Sequence, residues 1–396
     1  MLIIALLFAP LLSQAEIKTP VLASLSSLQT IGASIAAKSD KINLGREYLN
    51  ESQQNELLEL NHKAGRCGGF EALPASESSV LSSHSILSAL ESKVALEKSK
   101  ALQYFRPMMV ERKPEIQSAL TELREENIRS TVQWLSSYPS RNNRLSDPNQ
   151  HVLDMQTKLR TLLEGYPGIF SVDLISHSST RQKSVRVHLE GKARPREIIV
   201  LGGHLDSINR GWGSESAPGA DDNASGSASL MEALRVVAAH GRPERSVEFF
   251  WYAGEESGLL GSAEIAQQYK REAKDVVAVL QLDMTMFPGA GEFVVGSMTD
   301  FTSAWLRSYL MGINEAYLNV RVVESECGYG CSDHASWFRQ GYSTLMPFES
   351  DMDSMNRKIH TENDVIGPDS NFRHSLVYSK IALVIAMDLG NSTQRQ

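Results

Sequence analysis

The chain has 396 residues and a formal net charge of −8, with 42% hydrophobic and 22% charged residues. This length allows one large domain and a smaller unit, because single hydrophobic cores stop growing at about 250–300 residues. The negative charge argues against nucleic acids and anionic membranes as partners, since both repel an acidic surface. We expect a monomer without a membrane anchor.

The first fifteen residues have the pattern of a secretory signal peptide. They are apolar from Leu2 to Leu12 apart from Pro10, and a cut after Ala15 would follow small residues at Ser13 and Ala15. The apolar stretch is too short for a membrane-spanning helix, which needs about twenty residues. Because no Lys or Arg precedes it, a buried first strand or helix is the alternative. We expect removal of this signal peptide during export, and a secreted protein, either extracellular or periplasmic.

Residues 16–105 differ in composition from the rest of the chain, being rich in Ser, Leu, Glu and Lys. Their clearest pattern is an apolar face that repeats with helical period over Ser85–Tyr104. No motif in them indicates catalysis, so we predict a helical accessory segment. The chain has three cysteines, and Cys67 in this segment is far in sequence from the other two, so it is expected to be a free thiol.

From residue 106 onward the pattern predicts a larger domain of alternating helices and strands. Two amphipathic helices come first, at Gln117–Leu135 and Pro148–Glu164. Nearly continuous apolar stretches, typical of strands buried on both faces, then predict strands at Val185–Leu189, Glu197–Leu201, Ser246–Trp251, Val276–Leu282, Phe293–Val295, Val320–Val323 and Thr344–Pro347. Helices are predicted at Ser225–Ala239, Leu259–Lys270, Thr302–Glu315 and Arg373–Leu389. The fold class is therefore α/β, with a mostly parallel, mixed central sheet between helices.

Metal-binding residue types follow several of these strands. His or carboxylate side chains occur directly after three consecutive strands, and one more follows near the carboxyl end of the chain, giving the candidates His204, Asp206, Asp221, Asp222, Glu255, Glu256, Asp283 and His360. In open α/β sheets, ligands bind beyond the carboxyl ends of the strands. A lone His or Asp at such a position is usually a cap or a surface group. A set of two His and several carboxylates instead suits zinc or a similar divalent metal.

Two of the three cysteines lie close together, in Cys327-Gly-Tyr-Gly-Cys331. Export to an oxidising compartment favours a disulfide between them. The alternative is a pair of free thiols, because this spacing alone is a weak motif.

The motifs that carry these residues resemble the M28 zinc peptidases. Seven strings occur in this order: GGHLDS, PGADDNASG, GEESGLLGS, QLDMT, CGYGCSDHASW, MPFES and IHT. Within the family, the pattern is similar to that of secreted bacterial, Vibrio-type leucyl aminopeptidases, and the resemblance covers about residues 110–390. It implies a zinc-exopeptidase-like fold and a hydrolase that removes residues, preferably large apolar ones such as Leu, from the amino end of peptides.

The resemblance also implies a site with two Zn²⁺ ions per chain. His204 and Asp283 would bind one ion, Glu256 and His360 the other, and Asp222 would bridge the two. Asp222 is preferred over its neighbour Asp221 because the family pattern has the bridging carboxylate directly before an Asn or Asp of the loop, here Asn223.

Three further roles follow from the same resemblance. Glu255 would act as the general base for a metal-bridged hydroxide that attacks the scissile carbonyl. Tyr329 would hydrogen-bond the developing oxyanion, its alternative being a buried loop aromatic. Asp206 would orient the imidazole of His204, as carboxylates near metal-bound histidines commonly do.

The resemblance implies an apolar pocket for the substrate side chain, and it implies a propeptide. The pocket would be lined by Met284, Val295, Cys331, Phe348, Met352, Met355 and Ile359. Residues 16–105 occupy the position of a propeptide that assists folding or masks the site, and 106–396 would form the catalytic domain. For residues 16–105, the alternative to a propeptide is a stable helical accessory domain.

Two other functions are compatible with such a scaffold. A glutaminyl cyclase would use one zinc ion to close an amino-terminal Gln into a ring. A non-catalytic binding module would keep the fold and lose ligands or the base. The complete ligand set and Glu255 argue against both.

Overall fold

The computed structural model describes residues 18–63, 69–73, 83–101, 107–166, 170–210 and 216–393. The predicted signal peptide and Cys67 lie outside these ranges. No helix within them combines the length and the apolar character needed to cross a bilayer.

A six-stranded mixed sheet forms the centre of the larger domain. Its strands are β5 (Phe170–Ile175), β6 (Ser184–Leu189), β7 (Arg194–His204), β8 (Arg245–Tyr252), β9 (Asp275–Gln281) and β12 (Thr344–Leu345). The spatial order is β12-β9-β7-β8-β6-β5. The four strands from β12 to β8 are parallel, whereas β6 and β5 pair in the antiparallel sense. The predicted α/β class with a mixed central sheet is confirmed.

Both faces of this sheet are buried, which explains why its strands are continuously apolar. In β7, Ile199 and Leu201 point into the main core, whereas Ile198 and Val200 belong to a second cluster on the opposite face. The main core lies under the helices α4 (Pro114–Leu120), α5 (Glu125–Leu135), α6 (Gln150–Leu163), α7 (Gly226–His240), α9 (Ala304–Ile313) and α11 (Phe372–Val384). Helices α8 (Leu260–Arg271) and α10 (His334–Arg339) cover the other face.

A small sheet flanks the central one. It contains β10 (Val294–Met298), with β11 (Arg321–Ser325) parallel on one side and β13 (Pro347–Phe348) antiparallel on the other. The strands predicted at Phe293–Val295 and Val320–Val323 are confirmed with small shifts of their ends. The single strand predicted at Thr344–Pro347 is wrong, because the chain passes at Met346 from the central sheet to the small one and forms β12 and β13 instead. The sequence pattern did not predict β5, an edge strand whose residues are mostly only half-buried.

The single helix predicted at Gln117–Leu135 is wrong, because the chain forms α4 and α5 with a turn between them. Glu232, a buried residue of α7, accepts hydrogen bonds from the backbone N–H of Arg124 (2.7 Å) and from Asn127 Nδ2 (2.9 Å). This carboxylate caps the start of α5 from another element, which an amphipathic period cannot reveal.

The amino-terminal segment is not purely helical, which corrects the prediction. It contains an antiparallel sheet of β1 (Thr19–Ser24), β2 (Ala37–Ser39), β3 (Leu44–Leu49) and β4 (Phe70–Ala72), in the order β2-β3-β1-β4. Its helices are α1 (Leu25–Thr30), α2 (Glu51–Lys63) and α3 (Ser83–Ala101). These strands are three to six residues long and lack a strong alternating pattern, so their pairing depends on contacts distant in sequence.

Candidate metal centre and active site

The structure brings the five proposed metal ligands together at the carboxyl edge of the central sheet. His204 ends β7, Glu256 and Asp283 follow β8 and β9, Asp222 lies in the turn before α7, and His360 lies in a loop before α11. All five are buried. Parallel strands end at one edge of a sheet, so residues far apart in sequence meet there.

These residues form two groups that share one carboxylate. His204 Nε2 lies 3.0 Å from Asp222 Oδ1 and 3.3 Å from Asp283 Oδ1. His360 Nε2 lies 2.9 Å from Asp222 Oδ2 and 3.1 Å from Glu256 Oε2. Each group, His204–Asp222–Asp283 and Asp222–Glu256–His360, has three ligand atoms within 4.8 Å of one another. The two oxygens of Asp222 therefore face different groups, as a bridging ligand requires.

The chemistry of these groups fits divalent metal ions. Among the residues that the structure describes, neither carboxylate oxygen of Glu256 has a hydrogen-bond partner although both are buried, a costly state for a charged group unless a cation binds it. Burial, the largest single effect, lowers the pKa of His360, but Glu256 and Asp222 together outweigh it and raise this pKa to about 9. The surrounding carboxylates thus favour positive charge, and two His with three carboxylates are typical zinc ligands.

Asp206 connects the ligand on β7 with the turn that follows β8. Its Oδ1 accepts a hydrogen bond from the backbone N–H of Glu255 (3.0 Å), and its Oδ2 accepts one from that of Glu256 (3.3 Å). The same Oδ1 lies 3.5 Å from His204 Nδ1, which is 3.1 Å from the Asp206 carbonyl oxygen. The residue predicted to orient His204 therefore also holds the turn that carries two other site residues.

Glu255 lies beside the two ligand groups but belongs to neither. Burial raises the pKa of its carboxyl well above the ordinary value; His204 opposes this, and Glu256 and Asp283 add to it by repulsion. Because Glu255 and Glu256 lie in one short helical turn, their side chains leave the backbone in different directions. One carboxylate can bind metal while its neighbour stays available for proton transfer.

Tyr329 lies in the loop closed by the Cys327–Cys331 disulfide, which confirms the predicted pairing. Its side chain is buried in an apolar cluster with several of the predicted pocket residues: Met284, Cys331, Phe348, Met355 and Ile359, with Met352 packed against them. Val295 is not part of this cluster and packs in the main core beneath the sheet. The structure thus brings together all the predicted pocket residues except Val295.

Arg141 supports the loops of the metal centre, and no sequence motif predicted this. It is fully buried, and its guanidinium donates to four backbone carbonyls: Leu205 (2.8 Å), Leu135 (2.9 Å), Pro218 (2.5 Å) and Gly219 (2.9 Å). Arg141 therefore joins the loop that follows His204 to the loop that precedes Asp222. Nothing in the local sequence around Arg141 signals this role, because its partners lie on distant elements.

Asp364 is a second supporting residue that the sequence did not reveal. Its Oδ1 and Oδ2 accept the backbone N–H groups of Asp221 (3.0 Å) and Asp222 (3.1 Å). The Asp221 side chain turns away from the centre, since its oxygens accept from the Met286 N–H (3.1 Å) and Asn356 Nδ2 (3.0 Å). This geometry distinguishes the two adjacent aspartates, and only Asp222 faces the histidines.

The amino-terminal segment packs against this site. The N–H of Ala72 in β4 donates to the carbonyl of Gly258 (2.9 Å), two residues beyond the ligand Glu256. Gly258 has φ of 108°, and a Cβ there would lie 2.6 Å from the Phe70 ring, so only glycine permits this approach. Apolar side chains of the segment join the cluster of pocket residues: Leu22, Ala37, Leu44, Leu73, Ile86, Leu87 and Leu90.

Comparisons with known proteins agree with this geometry. The model of peptidase family M28 matches residues 184–394. A probable leucine aminopeptidase of Trichophyton verrucosum (strain HKI 0517) is 37% identical over 276 residues, 68% of this chain and 74% of its own length. Leucine aminopeptidase 1 of Aspergillus oryzae is 40% identical over 230 residues, 55% of this chain and 58% of its own. The crystal structure of the LapA aminopeptidase of Legionella pneumophila has a TM-score of 0.80 at 27% identity, covering 96% of this chain and 100% of that one.

All five ligand positions lie inside the range that the family model matches. Both sequence relatives named above are fungal, so the narrower similarity to bacterial, Vibrio-type enzymes stays a prediction. The chain belongs to peptidase family M28 and is an enzyme, a hydrolase of the metalloaminopeptidase class.

Proposed function

We propose that the protein is a secreted aminopeptidase that holds two zinc ions and removes large apolar residues, such as Leu, from the amino end of peptides. The observation that carries this proposal is the pair of ligand groups that share Asp222, with Glu255 beside them. Zinc bound there would polarise the scissile carbonyl and lower the pKa of a bound water.

The protein's own residues account for the proton transfers. Glu255 takes a proton from the attacking water as the water oxygen bonds to the scissile carbonyl carbon. Glu255 then gives that proton to the departing amine. The Asp206 carboxylate holds the Glu255 backbone in place through the N–H bond of 3.0 Å. Tyr329 keeps its proton and donates a hydrogen bond to the carbonyl oxygen as negative charge develops on that oxygen.

The apolar cluster around Tyr329 supports a preference for large apolar side chains. Met284, Phe348 and Met355 offer no charged group to a substrate side chain, and each is nearly fully buried. Methionine side chains adapt their shape, so Leu, Met and Phe could all be accommodated.

Blocking the amino group of a substrate tests this function directly. We expect leucine-initiated peptides and leucine anilide to be cleaved only when their amino group is free, and only without a strong chelator. The measurement compares free and N-acetylated forms of the same peptide, with metal content determined in parallel. Persistent cleavage of acetylated peptides would indicate an endopeptidase, and ring closure of amino-terminal Gln by a one-zinc protein would indicate a cyclase.

The amino-terminal segment would act as a propeptide that masks the site. Its apolar side chains fill the same cluster as the pocket residues, and its β4 strand bonds to the turn carrying Glu256. A buried ion pair also attaches it: Glu71 Oε1 lies 2.8 Å from Arg339 Nε, and both side chains are about 95% buried. A substrate side chain could enter the cluster only after the segment has moved away.

Removing this ion pair should raise the activity of the intact chain. Deleting one partner of a buried pair costs about 3–5 kcal/mol of free energy. In Glu71→Ala this cost applies only while the segment is docked, so the substitution increases the fraction of molecules with an open site. We therefore expect at least about a tenfold gain in kcat/KM for leucine anilide.

A surface pair provides the matched control for this variant. Arg144 and Glu51 are 3.2 Å apart and join the same two parts of the chain, but Glu51 is largely exposed. Such a pair contributes about 0–1 kcal/mol, so Glu51→Ala should leave kcat/KM close to that of the wild type. Equal activity of the wild type and Glu71→Ala would argue against masking.

A further inference from the structure

We propose that Arg210 is a substrate-binding residue that donates a hydrogen bond to a peptide carbonyl on the leaving-group side of the scissile bond. The inference rests on the proposed aminopeptidase function and deepens it. This hydrogen bond would form with peptides but not with single-residue anilides, because only peptides have a carbonyl beyond the bond that is cleaved.

Arg210 lies directly beside the metal-binding groups. Its backbone N–H donates to the carbonyl of His360 (3.0 Å), and its Nη2 lies 3.7 Å from Glu256 Oε2. Burial lowers the pKa of the guanidinium, while Glu256, Asp222, Tyr329 and Glu255 raise it, in that order of effect. Its charge therefore interacts electrostatically with Tyr329 and Glu255, the two groups proposed to act on the scissile carbonyl and the departing amine.

The donors of Arg210 are only partly used within the described residues. Nη1 donates to the backbone carbonyl of Leu58 in α2 (2.7 Å), whereas Nε and Nη2 are buried without a hydrogen-bond partner. The side chain is nine-tenths buried, so these unused donors carry the cost of desolvation. Donors in this state beside a catalytic centre are typical of a site that a ligand completes.

The group that Arg210 already binds indicates the kind of ligand. The Leu58 carbonyl is a peptide carbonyl, and it belongs to the segment proposed to mask the site. When the segment moves away, Nη1 is released together with Nε and Nη2. A peptide substrate extending past Glu255 would offer the same kind of acceptor in place of Leu58.

A purely supporting role towards Glu256 does not account for this geometry. The separation of 3.7 Å between Nη2 and Oε2 is longer than a hydrogen bond, and in the described part of the chain neither oxygen of Glu256 has a hydrogen-bond partner. Arg210 therefore does not fix the position of that carboxylate as Asp206 fixes its backbone.

The test is a ratio of specificity constants measured on the full chain. The substrates are leucine p-nitroanilide, a leucine-initiated tripeptide with an amidated carboxyl end, and the same tripeptide as the free acid. Wild type is compared with Arg210→Met and Arg210→Lys, and with Arg321→Met, an exposed strand arginine, as the matched control. The fraction of chain with an unmasked site cancels in the ratio of kcat/KM values, so a changed docking of the segment does not affect the result.

We expect Arg210→Met to lower the ratio of amidated tripeptide to anilide by about 10- to 100-fold, because one charge-assisted hydrogen bond is lost. Arg210→Lys should show a smaller loss, and Arg321→Met none. An unchanged ratio, or complete loss of anilide turnover with zinc retained, would overturn the inference. A loss confined to the free acid would assign Arg210 to the terminal carboxylate instead of a carbonyl and would also overturn it. A wild type that cleaves none of the three substrates would overturn the proposed function itself.

Discussion

Glu255→Gln should lower kcat by about 10²- to 10⁴-fold while the protein keeps its full zinc content. Gln has nearly the shape of Glu but cannot take a proton from water, and Glu255 is outside both ligand groups. The hydrogen bond from the Glu255 N–H to the Asp206 carboxylate uses only the backbone of Glu255, so it survives the substitution. The measurement is kcat for leucine anilide, together with zinc per chain.

The control for this variant is Glu362→Gln, which makes the same change at an exposed position two residues after His360. It should match the wild type in both measurements. Unchanged turnover in Glu255→Gln would rule out its role as general base. Loss of zinc would instead indicate that Glu255 is a ligand.

Asp222→Asn should release both metal ions and abolish turnover. The two oxygens of Asp222 face different histidines at 3.0 and 2.9 Å, so an amide that bears no charge weakens both groups together. Burial raises the pKa of Asp222, but hydrogen bonds from His204 and His360 outweigh this and hold it below its usual range. We expect zinc to raise the Tm of the wild type and to leave that of Asp222→Asn unchanged, because a ligand stabilises only the form that binds it.

Asp221→Asn is the matched control, since it makes the same change one residue earlier. Its carboxylate bonds to Met286 and Asn356 and points away from the histidines. This variant should keep both zinc ions even if its thermal stability falls. Loss of zinc from Asp221→Asn, with retention in Asp222→Asn, would reverse the assignment of the bridging residue.

Arg141 and Asp364 help to explain how the centre can hold several carboxylates in one place before metal binds. Arg141 attaches the loops of His204 and Asp222 to each other through their carbonyls. Asp364 receives two N–H groups from the Asp222 loop. Burial and the neighbouring Asp221 raise the pKa of Asp364 to about 8, so it adds little negative charge at neutral pH.

The class of fold, and the gathering of the candidate ligands at one edge of the sheet, could be predicted from the sequence. Continuous apolar strands alternating with helices indicate a sheet buried on both faces, and β7 buries both of its faces as this pattern requires. The carboxyl ends of parallel strands meet at one edge. Polar residues at or just after the ends of β7, β8 and β9 therefore had to lie near one another. His204 and Asp283 share one ligand group, and Glu256 lies in the adjoining group that shares Asp222 with it.

The surroundings of these residues depend on contacts between distant parts of the chain, which the sequence did not predict. The break between α4 and α5 depends on Glu232 of another helix, and the sheet of the amino-terminal segment depends on strand pairing between β1, β3 and β4. Likewise, the supporting contacts of Arg141 and the role proposed for Arg210 depend on distant backbone carbonyls. Periodicity in a sequence records which face of an element is buried, whereas hydrogen bonds between distant loops leave no periodic trace. The pattern therefore predicts where ligands gather, and the folded chain alone shows what holds and covers them.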